Sequence, residues 1–259
     1  MFKKINKIKK SKSKKKLVCL TAYSKPIAKI LDKFCDIILV GDSVATAFYG
    51  MNSTRELSVD TLLNHAKSVK RGVKKSLLVI DMPHNSYRNF KEAKKNAKNF
   101  LKKTKCDAVK IESNKKNFKI IKELVKSKIP VMGHIGYTPQ YKKKFKIEGQ
   151  SSYAANKLLK EAKLIEKAGA FSIVLECLTP NSSALITKNI NIPTIGIGSS
   201  NQCDGQILVT DDMLGMSGFY PKFVKKYASL NRIIEKAVKK YTRDIKLNKF
   251  PTKKNFLDG

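Results

Sequence analysis

Asp42, Asp81, Glu112, His134 and Glu176 each stand at or just beyond the end of a short apolar run, and Lys110 lies two residues before Glu112. Asp42, Asp81 and Glu112, with no cysteine among them, form a hard-oxygen donor set that suits magnesium or manganese better than zinc. Lys110 and Glu112, two apart on one strand, point the same way and would set a cation beside a metal ligand. An internal structural ion pair is the plainer reading of the same two residues. Glu176 closes the run Ser172-Ile173-Val174-Leu175 with nothing charged beside it in sequence, a setting for a general base. His134, between Gly133 and Ile135, reads equally as a satisfied structural histidine or a catalytic one. His65 falls within a helical pattern and reads as structural, whereas His84 follows Pro83 in a loop with no role assigned. Taken singly, Asp42 could cap a turn, Asp81 could end a strand and Glu112 could be solvated. Their joint placement at successive strand ends is what points to a site.

The elements that must position these groups are the apolar runs themselves: Ile37–Val40, Leu77–Ile80, Ala108–Val109, Pro130–Met132, Ser172–Leu175 and Ile192–Ile195. A parallel strand covered on both faces reads as a continuous apolar run. Helix-length spacers separate the runs, and chemistry follows almost every one, which fits a (β/α)8 TIM barrel with its site at the carboxyl ends of the strands. A doubly wound open sheet would show a glycine-rich phosphate fingerprint after its first strand, and none is present. The pattern predicts a basic amino-terminal helix with Ile5 and Ile8 turned inward, a strand over 17–21, a helix near 26–34 and a strand over 36–40. A long connection over 41–57 follows, then a helix capped by Ser58 that runs to Lys70 and is closed by Gly72. Further strands are expected near Leu77, Asp107, Val131, Phe171, Thr194 and Ile207, with helices near Glu92, Asn117, Ala154 and Ser182. A carboxyl-terminal helix over 222–241 and a polar tail over 242–259 complete one barrel domain spanning 1–259, with 1–16 as its basic leading segment.

The formal net charge is +34, and the excess is nearly all lysine; arginine occurs only at Arg55, Arg71, Arg88, Arg232 and Arg243. Base reading and bidentate phosphate contacts favour arginine, and there is no RNP motif, zinc finger or helix-turn-helix signature. The lysines recur along helical segments such as 91–105 and 115–128, as a solvated face would have them. No specific nucleic-acid partner is expected. Hydrophobic content of 42% suffices for a core, and no run approaches the roughly 18 apolar residues of a membrane span. Leu17–Leu20 after the lysine-rich start is too short for a signal peptide, so a cytoplasmic protein is expected. Cys19, Cys35, Cys106, Cys177 and Cys203 form no C-x-x-C pair and read as buried structural thiols.

These residues sit in strings that resemble one known family. Thr21-Ala22-Tyr23, Val40-Gly41-Asp42-Ser43, Gly50-Met51-Asn52-Ser53-Thr54, Val69-Lys70-Arg71-Gly72 and Asp81-Met82-Pro83 with Ser86-Tyr87 occur in the family's order. So do Val109-Lys110-Ile111-Glu112, Gly133-His134-Ile135-Gly136, Thr138-Pro139-Gln140, Leu175-Glu176-Cys177, Gly196-Ile197-Gly198, the run Asp204–Val209 and Pro221-Lys222-Phe223. From about Leu17 to Tyr227 the chain resembles the 3-methyl-2-oxobutanoate (ketopantoate) hydroxymethyltransferases. The resemblance implies a TIM barrel of the phosphoenolpyruvate/pyruvate superfamily type, a cytoplasmic homo-oligomer (a decamer in the family), and a place in pantothenate biosynthesis. It implies one Mg2+ per subunit held by Asp42, Asp81 and Glu112, and an oxo acid bound by Asp42, Ser43, Asp81 and Lys110. Glu176 would be the proton acceptor and His134 a site-lining histidine. The hydroxymethyl group would come from 5,10-methylenetetrahydrofolate and pass to 3-methyl-2-oxobutanoate, through a magnesium-stabilised enolate, to give 2-dehydropantoate. The chain departs from the family pattern at Ser24, at Ser113-Asn114, at Ser199-Ser200 and in a short, lysine-rich segment over 141–149. A magnesium-dependent lyase or mutase on another 2-oxo acid is the alternative, though the Lys-x-x-Cys-Gly loop common in such enzymes is absent. A basic RNA-binding barrel is a more distant one.

Overall fold

The computed structural model describes residues 1–113, 117–142, 144–218 and 220–257; Asn114 and the start of the lysine-rich segment expected over 115–128 lie outside them. The chain divides into two compact units, 1–210 and 211–259. The first unit is a closed barrel of eight parallel strands in sequence order, as the pattern of apolar runs requires. Its elements are α1 (Phe2–Lys9), β1 (Leu17–Thr21), α2 (Lys25–Leu31), β2 (Ile37–Val40), α3 (Val44–Ala47), α4 (Val59–Lys70), β3 (Leu77–Asp81), α5 (Phe90–Thr104) and β4 (Ala108–Glu112). There follow α6 (Phe118–Lys126), β5 (Val131–Gly136), α7 (Ser152–Lys167), β6 (Ser172–Glu176), α8 (Pro180–Asn189), β7 (Thr194–Ile197) and β8 (Gly205–Leu208). The barrel closes where Leu17–Leu20 of β1 pairs with Gly205–Leu208 of β8.

Strand side chains alternate between faces, and this alternation sorts the core into two layers. Leu17, Ile37, Leu39, Leu77, Val79, Ala108, Met132, Val174 and Ile195 fill the barrel interior, and Ile5 and Ile8 of α1 join that layer. Ile38, Val40, Leu78, Ile80, Val109, Ile111, Ile173 and Leu175 pack outward against the helices. Each large aliphatic side chain so buried contributes roughly 1.5–3 kcal/mol. The interior parity continues to the carboxyl ends: 77, 79, 81 on β3; 108, 110, 112 on β4; 132, 134 on β5; 172, 174, 176 on β6. Asp81, Lys110, Glu112, His134 and Glu176 therefore fall on inward rows at the carboxyl ends of their strands, and Asp42 follows just beyond β2.

Ser58 caps α4 as expected, and side chains also cap α5, α7 and α8. Ser58 Oγ accepts the Thr61 N–H, Asn89 caps α5 through the Glu92 N–H, and Ser151 and Thr179 cap α7 and α8. Nine lysines crowd residues 1–16, and four of them fasten the segment. Lys4 reaches Ser76 O and Asp107, Lys12 reaches Thr187 O and Asp204, Lys15 pairs with Asp36, and Lys16 donates to Asn201 O and Cys203 O.

Three expectations need correction. The helix near 26–34 stops at Leu31, because Lys33 and Phe34 turn back in single i→i−3 bonds to Ile30 O and Leu31 O. The connection over 41–57 is not irregular throughout; it holds α3 and a 3-10 turn over Thr54–Glu56. In the second unit, the helix expected over 222–241 is α10, Leu230–Lys246, after the short α9 (Thr210–Leu214). A helix through 227 would hand the Tyr227 N–H to residue 223; that N–H goes to Met213 O instead. The expected polar tail therefore begins with the last turn of α10. None of the described residues of α10 is buried, and Ile233, Ile234, Val238, Tyr241 and Ile245 are exposed along it.

Candidate active site

The carboxyl ends of the strands surround a small cavity of about 110 Å³ whose lining includes Asp42, Ser43, Asp81, Lys110, Glu112, His134 and Glu176. At roughly 30 Å³ per water, that is room for about four waters, so any organic ligand would be small. The rest of its lining is largely apolar and includes Leu39, Val174, Ile197, Ile207, Val209 and Pro139. Every site residue read from the sequence is brought to this one place. The charged groups come from the ends of β2 to β6, and β7 and β8 add only apolar strand residues.

Asp81, the last residue of β3, is the anchor. One carboxylate oxygen lies 2.6 Å from Lys110 Nζ and the other accepts the Asp42 N–H at 2.9 Å. The structural ion pair considered for Lys110 is thus made with Asp81 across the strands, while Glu112 stays on the same inward face. Gly41 permits the turn into Asp42, since a Cβ there would sit 2.8 Å from Ser43 Oγ. That hydroxyl lies 2.8 Å from Tyr23 OH. Asp42 accepts from Gln140 Nε2 at 2.7 Å, and Glu112 accepts the Gln140 N–H at 3.0 Å.

His134, pressed between two carboxylates, is 1% exposed. Its Nε2 lies 3.1 Å from Glu176 Oε2 and its Nδ1 3.8 Å from Glu112 Oε1. Neither contact is aligned as a hydrogen bond, which leaves both ring nitrogens without an aligned partner among the described residues. Burial pushes the imidazole below its ordinary pKa, so it is neutral. Gly136, at φ +99°, lets β5 pass close to Glu176: a Cβ there would collide with Glu176 O. Tyr137 N–H then bonds that same carbonyl at 2.8 Å.

Four carboxylates face one ammonium and a neutral imidazole in this cavity. Burial, then the neighbouring Asp81, raises Asp42 to about 7. Burial, then Asp42, pushes Glu112 well above the usual carboxylate range. Burial would lower Lys110, but Asp81, Asp42 and Glu112 outweigh it and hold the ammonium charged. The site is short of positive charge. Among the described residues, no three His, Cys, Asp or Glu side chains gather closely enough to hold a metal unaided. A hard divalent cation that takes one or two carboxylates and completes its shell with water and ligand oxygens fits this donor set.

The remaining histidines are elsewhere. His65 bonds Tyr23 O through Nδ1 at 2.7 Å and Tyr49 OH through Nε2 at 2.8 Å, a structural role. His84 lies against Tyr141 at the rim, its Nδ1 buried without a partner among the described residues. All five cysteines are free and buried, and burial together with Glu176 pushes the Cys177 thiol up to about 12. Sequence reading assigned no site role to Gln140, Tyr87 or Thr54. Gln140 and Tyr87 belong to loops whose return to the site no local pattern announces; only their place in family strings marked them.

The profile of a family described as ketopantoate hydroxymethyltransferase matches residues 3–253. A 3-methyl-2-oxobutanoate hydroxymethyltransferase of Pelagibacter ubique (strain HTCC1062) is 51% identical, over 98% of this chain and 99% of its own length. The protein of the same name from Clostridioides difficile (strain 630) is 47% identical, over 93% and 90%. Among solved structures, a phosphoenolpyruvate phosphomutase from Streptomyces platensis subsp. rosaceus superposes with a TM-score of 0.65 at 12% identity, covering 95% of this chain and 88% of that one. A phosphonopyruvate hydrolase complexed with oxalate and Mg++ gives 0.64, also at 12%, over 98% and 92%. At such identities these likenesses show the shared barrel fold.

Proposed function

The chain belongs to the ketopantoate hydroxymethyltransferase family, and from that premise we propose that it converts 3-methyl-2-oxobutanoate, 5,10-methylenetetrahydrofolate and water into 2-dehydropantoate and tetrahydrofolate. The C3–H bond of the oxo acid breaks and a bond from C3 to the one-carbon unit forms. The observation that carries the reading is the make-up of one small cavity, whose lining combines oxygen donors and Lys110 with aliphatic side chains. A small branched 2-oxo acid offers both kinds of surface.

Asp42 and Asp81, with Glu112 beside them, would hold Mg2+, which when bound draws electron density from the keto group and acidifies C3. Lys110, fixed by Asp81, places its ammonium where negative charge develops on the keto oxygen. Ser43, steadied by Tyr23, orients the acid's carboxylate. Val174, Ile197, Ile207 and Val209 take the two methyl groups and keep water from C3. Glu176 removes the C3 proton, with the neutral His134 as its neighbour at 3.1 Å. The carbanion then attacks the one-carbon unit carried by the folate.

We place the enzyme in the cytoplasm, in pantothenate biosynthesis, as a homo-oligomer, a decamer by family resemblance. The exposed apolar side chains of α10 support an assembly surface, and among the described residues no helix is long and apolar enough to cross a membrane. Light scattering checks the assembly. The test of function is proton NMR of the protein with the oxo acid, the folate and magnesium, with and without chelator. Metal-dependent 2-dehydropantoate is expected. Loss of only the C3 proton in deuterated water would keep the oxo-acid chemistry and remove the folate donor, and neither signal would overturn the reading.

A further inference from the structure

Gln140, 1% exposed, is the most fully engaged side chain around the site. Its Nε2 donates to Asp42 Oδ2 at 2.7 Å and to Met82 O at 3.0 Å, and its Oε1 accepts the Tyr87 hydroxyl at 2.5 Å. Its main-chain N–H donates to Glu112 Oε2 at 3.0 Å. A primary amide has two N–H donors and one carbonyl acceptor, and here both ends are in use. Asp42 and Met82 fix which end is which: with the amide reversed, its oxygen would face the Asp42 carboxylate and the Met82 carbonyl, and Tyr87 supports the observed orientation by donating to Oε1. The segment that carries Gln140 is itself fastened, by Arg55 Nε to Pro139 O at 3.3 Å and by Asn117 Nδ2 to Tyr141 OH at 3.1 Å. One residue from the β5–α7 connection thus grips two carboxylates that belong to other strands.

We infer that Gln140, supported by Tyr87, is a positioning residue that sets the Asp42 and Glu112 carboxylates for the divalent cation, so that cation affinity depends on a side chain that is not itself one of the proposed ligands. The inference rests on the metal reading given above. A purely structural glutamine would matter to stability alone. Groups that orient metal ligands typically cost 10–100-fold in affinity or activity when removed.

The experiment is calorimetric titration of MgCl2 into protein free of substrate, with thermal melts of each variant, for wild type, Gln140→Met, Gln140→Glu and Tyr87→Phe. Gln140→Met keeps the shape and the main-chain donor but loses the amide; Gln140→Glu sets an acceptor against Asp42. Both should lose about 10–100-fold in Mg2+ affinity with melting temperatures close to wild type. Tyr87→Phe, which removes the donor to Gln140 Oε1 and so weakens its hold, should lose less in the same direction. Magnesium affinity within about twofold of wild type in both Gln140 variants would overturn the proposal and leave the metal reading standing. If those variants do not fold, Tyr87→Phe decides, and unchanged affinity there overturns it. Wild-type protein that takes up no magnesium removes the metal reading and the proposal together.

Discussion

Glu176 is the residue on which the proposed chemistry turns. Glu176→Gln keeps the shape of the group and its contact with His134 but removes the acceptor for the C3 proton. It should bind 3-methyl-2-oxobutanoate nearly as wild type does and lose about 10²–10⁴-fold in turnover. Loss of the C3 proton in deuterated water, followed by NMR, is the direct measure; exchange at near the wild-type rate would rule Glu176 out as the base. Asp42 makes a second prediction, about pH. Its carboxyl is raised to about 7 by burial and by Asp81, so the cation must displace a proton below that pH. Magnesium affinity should therefore climb by up to about tenfold per pH unit from pH 5.5 toward 7 and flatten above it. For the metal-free fold the sign is the reverse. A raised carboxyl costs nothing below the unfolded value near 4, and its penalty grows as pH rises through about 7. The Mg2+-induced rise in melting temperature should accordingly be larger at pH 8 than at pH 6, and a smaller rise at pH 8 would contradict this account. Asp81, Lys110, Glu112, His134 and Glu176 were legible in the sequence because each falls on an inward-facing row at the carboxyl end of a strand, and Asp42 because it follows just beyond one. Gln140 and Tyr87 were not, because what they touch depends on how a loop folds back.

At the level of elements, the continuous apolar runs marked β2 to β7, since a strand covered on both faces has no polar row to hide it. β1 and β8, which expose Val18 and Gln206, were legible only from the alternation around them. Helix ends were less legible. Nothing local tells that Tyr227 N–H bonds Met213 O, and that single diversion moves the start of α10 to Leu230. Asp204 shows the same dependence on distant partners. It lies just before β8, yet it accepts the Thr194 N–H at 2.8 Å, the Ser13 N–H at 2.8 Å and Lys12 Nζ at 2.9 Å. Burial alone would raise its carboxyl, but these donors hold it below the usual range. Its stabilising contribution is present above the unfolded carboxylate pKa and is lost as pH falls through the lower folded value. Asp204→Asn should cost about 3 kcal/mol in urea unfolding at pH 7 and progressively less on acidification. A cost that did not shrink toward pH 3 would assign it to packing instead of charge.

Across the whole molecule, fifty-four basic residues against twenty acidic ones leave most lysines facing water, while Lys4, Lys12, Lys15 and Lys16 are fully used as fasteners. A general excess of this kind attracts polyanions without reading them. The protein should retard a homopolymeric RNA at low salt and release it by about 200 mM, with turnover unaffected; sequence-selective binding that survives such salt would point to a nucleic-acid role after all. The most far-reaching feature is that the site draws its groups from five consecutive strands, β2 to β6. Until those strands are side by side, the carboxylates are strung along more than half the chain and nothing binds them together. No fragment and no partly zipped intermediate can therefore possess a fraction of the activity. During refolding, catalysis should return as a late, all-or-none event, after helical structure and in step with the last strands, so that the cation acts on the rate of coming apart far more than on the rate of assembly.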